Sequence, residues 1–159
     1  MKIICIGRNY EAHAKEMGND VPKKPIFFLK PDSSILPKRN PFYIPDFSQE
    51  IHYEVELIIK IKKLGKSIAI EYAKDYYSEI GLGIDFTARD LQQKCKTLGQ
   101  PWEIAKAFDQ SAVISEEFIK SSSLNQINFS LIKNGEIVQQ ANANEMIFDP
   151  NQIIHYVSK

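Results

Sequence analysis

The sequence predicts an α+β fold dominated by β-structure, with many short strands and a few short helices. Three observations carry this prediction. Apolar and polar side chains alternate over residues 50–62, as in a half-buried strand. Six prolines lie between residues 22 and 45, which excludes long helices there. The pair Asn134-Gly135 lies between two β-prone runs and is a strong hairpin signal.

The first half of the chain is predicted to consist mainly of strands. Residues 2–6 are apolar and predict a first strand, and the proline-flanked residues 26–29 predict a second. Residues 50–62 predict a longer strand. Residues 69–78 predict a helix, with the acidic Glu71 near its start.

Residues 87–98 predict a second helix, with recognisable signals at both its start and its end. Thr87 is expected to be its N-cap, and Asp90 three residues later gives a variant of the capping box. Gly99 is expected to end the helix, because glycine readily adopts the left-handed conformation found after helices.

The last third of the chain is predicted to form a hairpin and a final helix. Residues 127–133 and 136–140 flank the Asn134-Gly135 turn and predict two antiparallel strands. The pair Asp149-Pro150 predicts the N-cap and first residue of a helix that runs to the last residue.

Composition narrows the classes of function. The 159 residues suffice for one domain, and 43% hydrophobic with 25% charged residues is typical of a globular protein. Lys plus Arg and Asp plus Glu number 20 each, so no net charge favours nucleic acid or an acidic membrane. No apolar run approaches the ~20 residues of a membrane helix. Cys5 and Cys95 are expected to be reduced thiols in the cytoplasm, with a single bridge as the alternative.

Two glutamates on the predicted central strand form a candidate metal site. Side chains alternate along a strand, so Glu54 and Glu56 share one face. Paired carboxylates repel each other unless a cation lies between them, and Asp85 is a candidate third ligand. Such an oxygen set suits Mg²⁺, Mn²⁺ or Ca²⁺. The alternative is a solvated polar face. The opposite face, which we expect to enter the core, carries Tyr53, Val55, Leu57, Ile59 and Ile61.

Six groups of residues, in order along the chain, resemble the fumarylacetoacetate hydrolase superfamily. They are Gly7-Arg8-Asn9-Tyr10 with His13 and Glu16; Phe28-Leu29-Lys30-Pro31; residues 52–57; residues 85–92; Gly99-Gln100-Pro101-Trp102 with residues 105–109; and Asn134-Gly135-Glu136 with Met146-Ile147-Phe148. The branch they resemble most comprises small single-domain acylpyruvate hydrolases and oxaloacetate decarboxylases. The resemblance implies one catalytic domain over residues 1–159, a β-rich mixed β-roll with a few short peripheral helices.

The resemblance also implies a metal site and a charge-stabilising lysine. Glu54, Glu56 and Asp85 match the family's ligands to Mg²⁺ or Mn²⁺. Lys106 matches a lysine that would stabilise the negative charge of an enolate leaving group. The alternative for Lys106 is a purely structural side chain beside neighbouring aromatic rings.

His13 and Glu16 match a dyad that activates water. A histidine can accept a proton near pH 7, and a carboxylate can fix its tautomer. The alternative is an ordinary exposed polar pair. His52 lies just before the core of the predicted ligand strand and is expected to support the ligands or to be structural; if it did coordinate, Zn²⁺ would become a competitor to Mg²⁺.

Four further polar residues match motif positions and are expected to contact the substrate or its carboxylate. They are Arg8, Lys30, Arg89 and Gln92.

The implied function is a metal-dependent hydrolase that cleaves a C–C bond in acylpyruvates, decarboxylates oxaloacetate, or both. Alternatives are an isomerase or hydratase acting on dienoic or 2-oxo acids, or a non-catalytic protein of this fold. A small 2-oxo acid is the expected partner, within a homodimer. Family members continue with further strands and a Thr-Gly-Thr-Pro-x-Gly turn that is absent here, so we expect the C-terminal part of the fold to be missing.

Overall fold

Short strands and short helices alternate along the chain. The computed structural model describes residues 1–11, 18, 20–120, 124 and 126–159. The strands are β1 (Ile3–Gly7), β2 (Ile26–Lys30), β3 (Ile51–Ile61), β4 (Tyr77–Ala88), β5 (Ala112–Ile114), β6 (Ile119–Lys120), β7 (Asn128–Lys133) and β8 (Glu136–Asn142). The α-helices are α1 (Arg89–Leu98), α2 (Glu103–Lys106) and α3 (Pro150–Val157), and 3₁₀ helices cover Asp32–Ser34, Ile70–Tyr76 and Ala143–Glu145.

The strands form mixed small sheets, which confirms the predicted β-rich α+β class. β1 pairs with β2, and β7 pairs with β8. A four-stranded sheet has the order β3-β4-β5, with β6 also on β4. Strand β5 runs antiparallel to β4, with Asp85 opposite Ala112. The described residues include no helix with the length and apolar character needed to cross a membrane.

The Asn134-Gly135 hairpin is confirmed. Strands β7 and β8 pair antiparallel from Lys133 opposite Glu136 outward. Asn134 has φ 54° and Gly135 has φ 87°. Two successive positive φ values match the right-handed twist of the paired strands, and Asn and Gly tolerate them best.

The helix predicted at residues 69–78 is wrong in type and extent. Only a 3₁₀ helix forms there, and β4 begins at Tyr77. The amide of Lys62 donates to the carbonyl of Tyr76 at 2.9 Å, so the backbone leaves the helix to bond with the chain that follows β3. Tertiary pairing therefore overrides local helix propensity at the end of this segment.

Thr87 is not the N-cap of α1. It is the penultimate residue of β4, and Ala88 precedes the helix without any side-chain capping bond. Asp90 instead accepts from the hydroxyl of Ser48 at 2.6 Å. The predicted stop is correct, because Gly99 follows α1 with φ 63°.

Two compact units are built from interleaved segments. The first contains residues 1–5, 27–56 and 82–116, and the second contains residues 6–26, 57–81 and 117–159. Strands β3 and β4 each contribute residues to both units.

Aromatic pairs and small buried side chains hold the first unit together. Phe42 stacks on Phe86 with ring centroids 3.8 Å apart, and Phe47 meets Phe108 edge-on at 5.4 Å. Its fully buried apolar side chains are Ala88, Cys95 and Ala105. Both Cys5 and Cys95 are free thiols, as expected.

The second unit has its core between the 3₁₀ helix Ile70–Tyr76 and α3. The cluster comprises Ile68, Ala73, Tyr77 and Ile154, with Ile59 and Tyr76 packed against it. Ile59 therefore enters a core as predicted. Ile61 does not, since it is 54% exposed at the end of β3.

The final helix begins as predicted. Asp149 is the N-cap of α3, and its carboxylate accepts from the amide of Gln152 while the Gln152 side chain accepts from the amide of Asp149, both at 2.9 Å. Pro150 occupies the first turn, where no amide donor is needed. The helix ends at Val157, two residues before the end of the chain.

Candidate metal centre

Three carboxylates converge in the first unit. Alternation along β3 brings Glu54 and Glu56 to one face, and the neighbouring strand β4 supplies Asp85. One oxygen from each lies within 4.8 Å of the others, and no other such acidic or His/Cys group is found among the described residues. These three side chains are called the carboxylate cluster below.

Glu56 carries the electrostatic cost of this cluster. Burial raises the pKa of Glu56, and the nearby charges of Asp85 and Glu54 raise it further, to about 8. The ionised form is therefore disfavoured near neutral pH without an additional cation. A divalent cation within reach of Glu56 would relieve that cost.

Lys106 brings a positive charge directly into the cluster. Its ammonium lies 2.7 Å from Glu54 Oε2 and 2.6 Å from Asp85 Oδ2. It also donates to the hydroxyl of Thr87 at 2.5 Å. Burial opposes the charged lysine, but Asp85 and Glu54 outweigh it and raise the pKa of Lys106. Lys106 is therefore held as a cation in a site where it is only 3% exposed.

Lys106 is the last residue of the short helix α2, and this helix places its side chain beside the carboxylate cluster. The amides of Ala105 and Lys106 both donate to the carbonyl of Trp102 at 2.9 Å, and Ala105 is fully buried. The Lys106 ammonium also lies 5.1 Å from the ring centroid of Phe28, which lies in β2. The backbone and a ring face thus restrict the side chain.

A second buried lysine contacts the other oxygen of Asp85. Lys30, at the end of β2, has its ammonium 2.9 Å from Asp85 Oδ1. It also donates to the Ser111 hydroxyl at 2.9 Å, the Ser111 carbonyl at 3.1 Å and the Lys106 carbonyl. Burial lowers the pKa of Lys30 despite the opposing effect of Asp85.

Arg89 anchors Glu54 from the first turn of α1. Its guanidinium donates to Glu54 Oε1 and to the side-chain oxygen of Gln92, both at 2.5 Å. Its Nε donates to His52 Nδ1 at 3.4 Å, while His52 Nε2 contacts Glu50 Oε1 at 2.7 Å. Burial alone would raise the pKa of Glu54, but Lys106 and Arg89 bring it down to about 2.

The donor set fits a hard divalent cation. Carboxylate oxygens are the ligands that Mg²⁺ and Mn²⁺ prefer, and three of them meet here without a thiolate or imidazole among them. His52 contacts Glu50 and Arg89 and is not part of the cluster. The lysine ammonium between Glu54 and Asp85 marks a position where positive charge is stabilised.

The structure brings together most of the residues predicted for the site. Glu54, Glu56, Asp85, Lys106, Lys30, Arg89 and Gln92 all belong to the first unit and, apart from Glu56, are joined by the contacts above. Arg8 belongs to the second unit and follows β1 with φ 59°. His13 and Glu16 lie outside the described residues, so their dyad stays a prediction.

Lys30, Arg89 and Gln92 contact protein groups in this arrangement. Lys30 is 2% exposed and Gln92 is 4% exposed, and both bond to neighbouring side chains. Their predicted role as substrate contacts stays a prediction. What the geometry adds is that Lys30 and Arg89 orient two of the candidate ligands.

Sequence reasoning missed Thr87 and Ser111. Thr87 lies two residues after Asp85 on β4, so the period of two could have assigned it to the same face as Asp85. Ser111 meets Lys30 and the Lys106 carbonyl only through the tertiary fold. No sequence pattern signals that contact.

Comparisons with known proteins extend over the whole chain. Residues 2–159 match the family model described as fumarylacetoacetate hydrolase, C-terminal. The chain is 44% identical to the mitochondrial oxaloacetate decarboxylase of Dictyostelium discoideum, covering 99% of this chain and 73% of that protein. It is 39% identical to the mitochondrial oxaloacetate tautomerase FAHD1 of Mus musculus, covering 99% and 72%.

A solved structure shares the fold. The crystal structure of fumarylpyruvate hydrolase from Pseudomonas aeruginosa, in complex with Mn²⁺ and pyruvate, superposes with a TM-score of 0.89. The two chains are 34% identical, and the match covers 99% of this chain and 71% of that one. On the evidence of its sequence motifs, its fold and these matches, the chain belongs to the fumarylacetoacetate hydrolase family.

Proposed function

We propose that this protein is a divalent-metal-dependent enzyme that generates the enolate of small 2-oxo acids, with oxaloacetate and acylpyruvates as its substrate class. The observation that carries the proposal is the carboxylate cluster with a buried lysine ammonium in contact with two of its three members. Few purely structural roles require three carboxylates and a lysine at such close quarters, because burying each charge is costly.

A divalent cation bound by Glu54, Glu56 and Asp85 would supply Lewis-acid polarisation of the 2-oxo group. Lys106 would contribute a second positive charge on the same side of the substrate. Its ammonium can donate to an oxygen whose negative charge grows as the enolate forms. Phe28 shields Lys106 from water, which strengthens that interaction.

Two reactions proceed through this enolate. In decarboxylation, the C3–C4 bond of oxaloacetate breaks, CO₂ leaves, and the electron pair becomes the enolate of pyruvate. In hydrolysis, water adds to the distal ketone of an acylpyruvate, the adjacent C–C bond breaks, and a carboxylic acid and pyruvate enolate are released. A proton from solvent or protein then converts the enolate to pyruvate. The predicted role of His13 and Glu16 is to activate the water in hydrolysis.

Tautomerisation of oxaloacetate is the second candidate. Removal of a C3 proton gives the enolate of oxaloacetate itself, and protonation of that enolate on oxygen gives the enol without breaking a C–C bond. The mouse relative is named an oxaloacetate tautomerase, and the Dictyostelium relative an oxaloacetate decarboxylase. The Pseudomonas relative is named a fumarylpyruvate hydrolase and was crystallised with Mn²⁺ and pyruvate. These names support a shared substrate class more than any one reaction.

To test the proposed function, the purified protein is incubated with Mn²⁺ or Mg²⁺ and, in separate assays, with oxaloacetate or acetylpyruvate as the substrate. Pyruvate release is followed with coupled lactate dehydrogenase, and the enol of oxaloacetate is followed by its ultraviolet absorbance. Metal-dependent pyruvate release supports decarboxylation or hydrolysis. Faster enol–keto exchange without pyruvate release supports tautomerisation.

The matched control is the Glu56→Gln variant, which preserves size and removes one candidate ligand charge. We expect this variant and EDTA-treated protein to lose activity on every substrate. Full activity of Glu56→Gln, or of the protein in excess EDTA, would contradict the metal-dependent proposal.

A further inference from the structure

We infer that Lys106 is an internal cation that holds the carboxylate cluster together without metal and that competes with a divalent cation for the same two oxygens. The inference rests on the proposed metal site, but its test measures metal binding and stability and needs no turnover. It assigns Lys106 a role before substrate arrives, in addition to the proposed stabilisation of the enolate.

The contacts of the Lys106 ammonium show which carboxylate oxygens a divalent cation would have to compete for. Its ammonium bonds Glu54 Oε2 and Asp85 Oδ2, the oxygens that face it across 2.7 and 2.6 Å. The other oxygens face different cations: Arg89 donates to Glu54 Oε1, and the Lys30 ammonium lies 2.9 Å from Asp85 Oδ1, which accepts no hydrogen bond from the described residues. A cation that ligates Glu54 Oε2 and Asp85 Oδ2 would therefore take the position of the Lys106 ammonium.

The balance of charges around the carboxylate cluster also favours displacement of Lys106 by a divalent cation. Lys106, Lys30 and Arg89 place three positive charges in contact with the two negative charges of Glu54 and Asp85. Even with Glu56 ionised as well, the site is already neutral before any metal binds. Two added positive charges would repel whichever ammonium is least anchored.

Among the contacts described, Lys106 has the fewest hydrogen bonds to groups other than the carboxylates. Lys30 is bonded to three backbone carbonyls and the Ser111 hydroxyl as well as to Asp85, so it cannot leave without breaking a buried network. Arg89 divides its guanidinium among Glu54, Gln92 and His52. Apart from the two carboxylates, the hydrogen bonds described for the Lys106 ammonium include only that to Thr87.

Displacement has a chemical consequence. An ammonium that leaves Glu54 and Asp85 but stays on the same helix end remains beside the cation site, free to donate to a new anionic oxygen. Metal binding would thereby release Lys106 for the substrate. The metal-free protein keeps the same side chain occupied in stabilising the site.

The test compares wild type with Lys106→Met, which keeps an unbranched side chain and removes the charge. Mn²⁺ affinity is measured by titration with electron paramagnetic resonance detection, and melting temperature is measured in EDTA and in saturating Mn²⁺. Because the variant removes the cation that faces Glu54 Oε2 and Asp85 Oδ2, we expect lower stability in EDTA and roughly tenfold or greater tightening of Mn²⁺ binding. The melting temperature should therefore rise more with Mn²⁺ in the variant than in wild type.

The matched control is Lys60→Met. Lys60 pairs with Glu79 at 3.0 Å, is 51% exposed, and lies outside the cluster. Its removal should leave Mn²⁺ affinity unchanged. Unchanged or weaker Mn²⁺ binding by a folded Lys106→Met protein would overturn the inference while leaving the metal site intact. If neither protein binds Mn²⁺, the metal site and the inference both fail.

A labelling experiment on wild type applies even if the variant does not fold. The rate of acetylation of each lysine is measured by mass spectrometry in Mg²⁺ and in EDTA. Lys106 should react faster with Mg²⁺, because its ammonium has left the carboxylates, while Lys60 should not change. Equal rates for Lys106 in both conditions would contradict displacement.

Discussion

The Lys30 ammonium lies 2.9 Å from Asp85 Oδ1, and the two side chains are 1% and 5% exposed. Asp85 Oδ2 faces Lys106 instead, so each oxygen of this aspartate has its own lysine. Asp85 is thus fixed in orientation by charge on both oxygens. A candidate ligand held this way loses little conformational freedom when it binds a cation.

Replacement of Lys30 by Met should strongly destabilise the protein. The change leaves a buried carboxylate oxygen and the Ser111 hydroxyl with a lost partner, which typically costs about 3–5 kcal/mol. The free energy of unfolding, measured with urea at pH 7, provides the check. Lys60→Met removes a partly exposed pair and should cost at most about 1 kcal/mol. Equal costs for the two variants would show that the Lys30–Asp85 pair adds no special stability.

The metal-free protein should lose stability as pH rises from about 5 to 8. Glu56 has a pKa of about 8 when folded, against an ordinary value of 4.5, so the folded state retains a proton that the unfolded state releases. The contribution of Glu56 to stability is therefore complete when the pH lies below its ordinary pKa, and it is lost as the pH rises through the pKa of the folded state. The total is roughly 3–6 kcal/mol for a shift of this size.

Unfolding in EDTA across this pH range, compared between wild type and Glu56→Gln, isolates the effect. The variant cannot titrate at this position, so the difference between the two proteins should grow in favour of Glu56→Gln as pH rises. A difference that stays constant with pH would contradict the raised pKa.

Replacement of Arg89 by Lys should weaken metal binding. Lysine preserves the charge but cannot contact Glu54, Gln92 and His52 together as the guanidinium does. Loss of a group that orients a ligand typically lowers metal affinity about 10- to 100-fold. A calorimetric Mn²⁺ titration measures this, with Arg39→Lys at an exposed position as the control. Equal affinities for both variants would rule out an orienting role.

The capping box of α3 gives a prediction independent of the metal. Asp149→Ala removes the acceptor for the Gln152 amide and should cost about 1 kcal/mol of unfolding free energy. Asp149→Asn retains an oxygen acceptor and should cost less than half of that. If the two substitutions cost the same, the hydrogen bond is not what stabilises the helix start.

Local patterns were sufficient to predict several elements. Alternation along residues 50–62 predicted β3 and placed Glu54 beside Glu56, since side-chain period follows directly from backbone geometry. Asn134-Gly135 and Asp149-Pro150 predicted a turn and a helix start, because their backbone preferences act locally.

Features decided by tertiary contacts were not predictable in this way. Strand β4 runs through Gly81 and Gly83, residues that local propensity disfavours in strands, and its pairing with neighbouring strands stabilises it. Thr87 has the chemistry of an N-cap, yet it bonds Lys106. Lysine is rarely buried, so nothing in the sequence around Lys30 indicates that its ammonium pairs with Asp85.

The most direct test of the central claim is an Mn²⁺ titration of wild type and Glu56→Gln, followed by electron paramagnetic resonance at pH 7. If Glu54, Glu56 and Asp85 form a divalent cation site, wild type should bind one Mn²⁺ per chain with saturation, and Glu56→Gln should bind it at least about tenfold more weakly. Wild type without saturable binding, or a variant with the affinity of wild type, would contradict the claim.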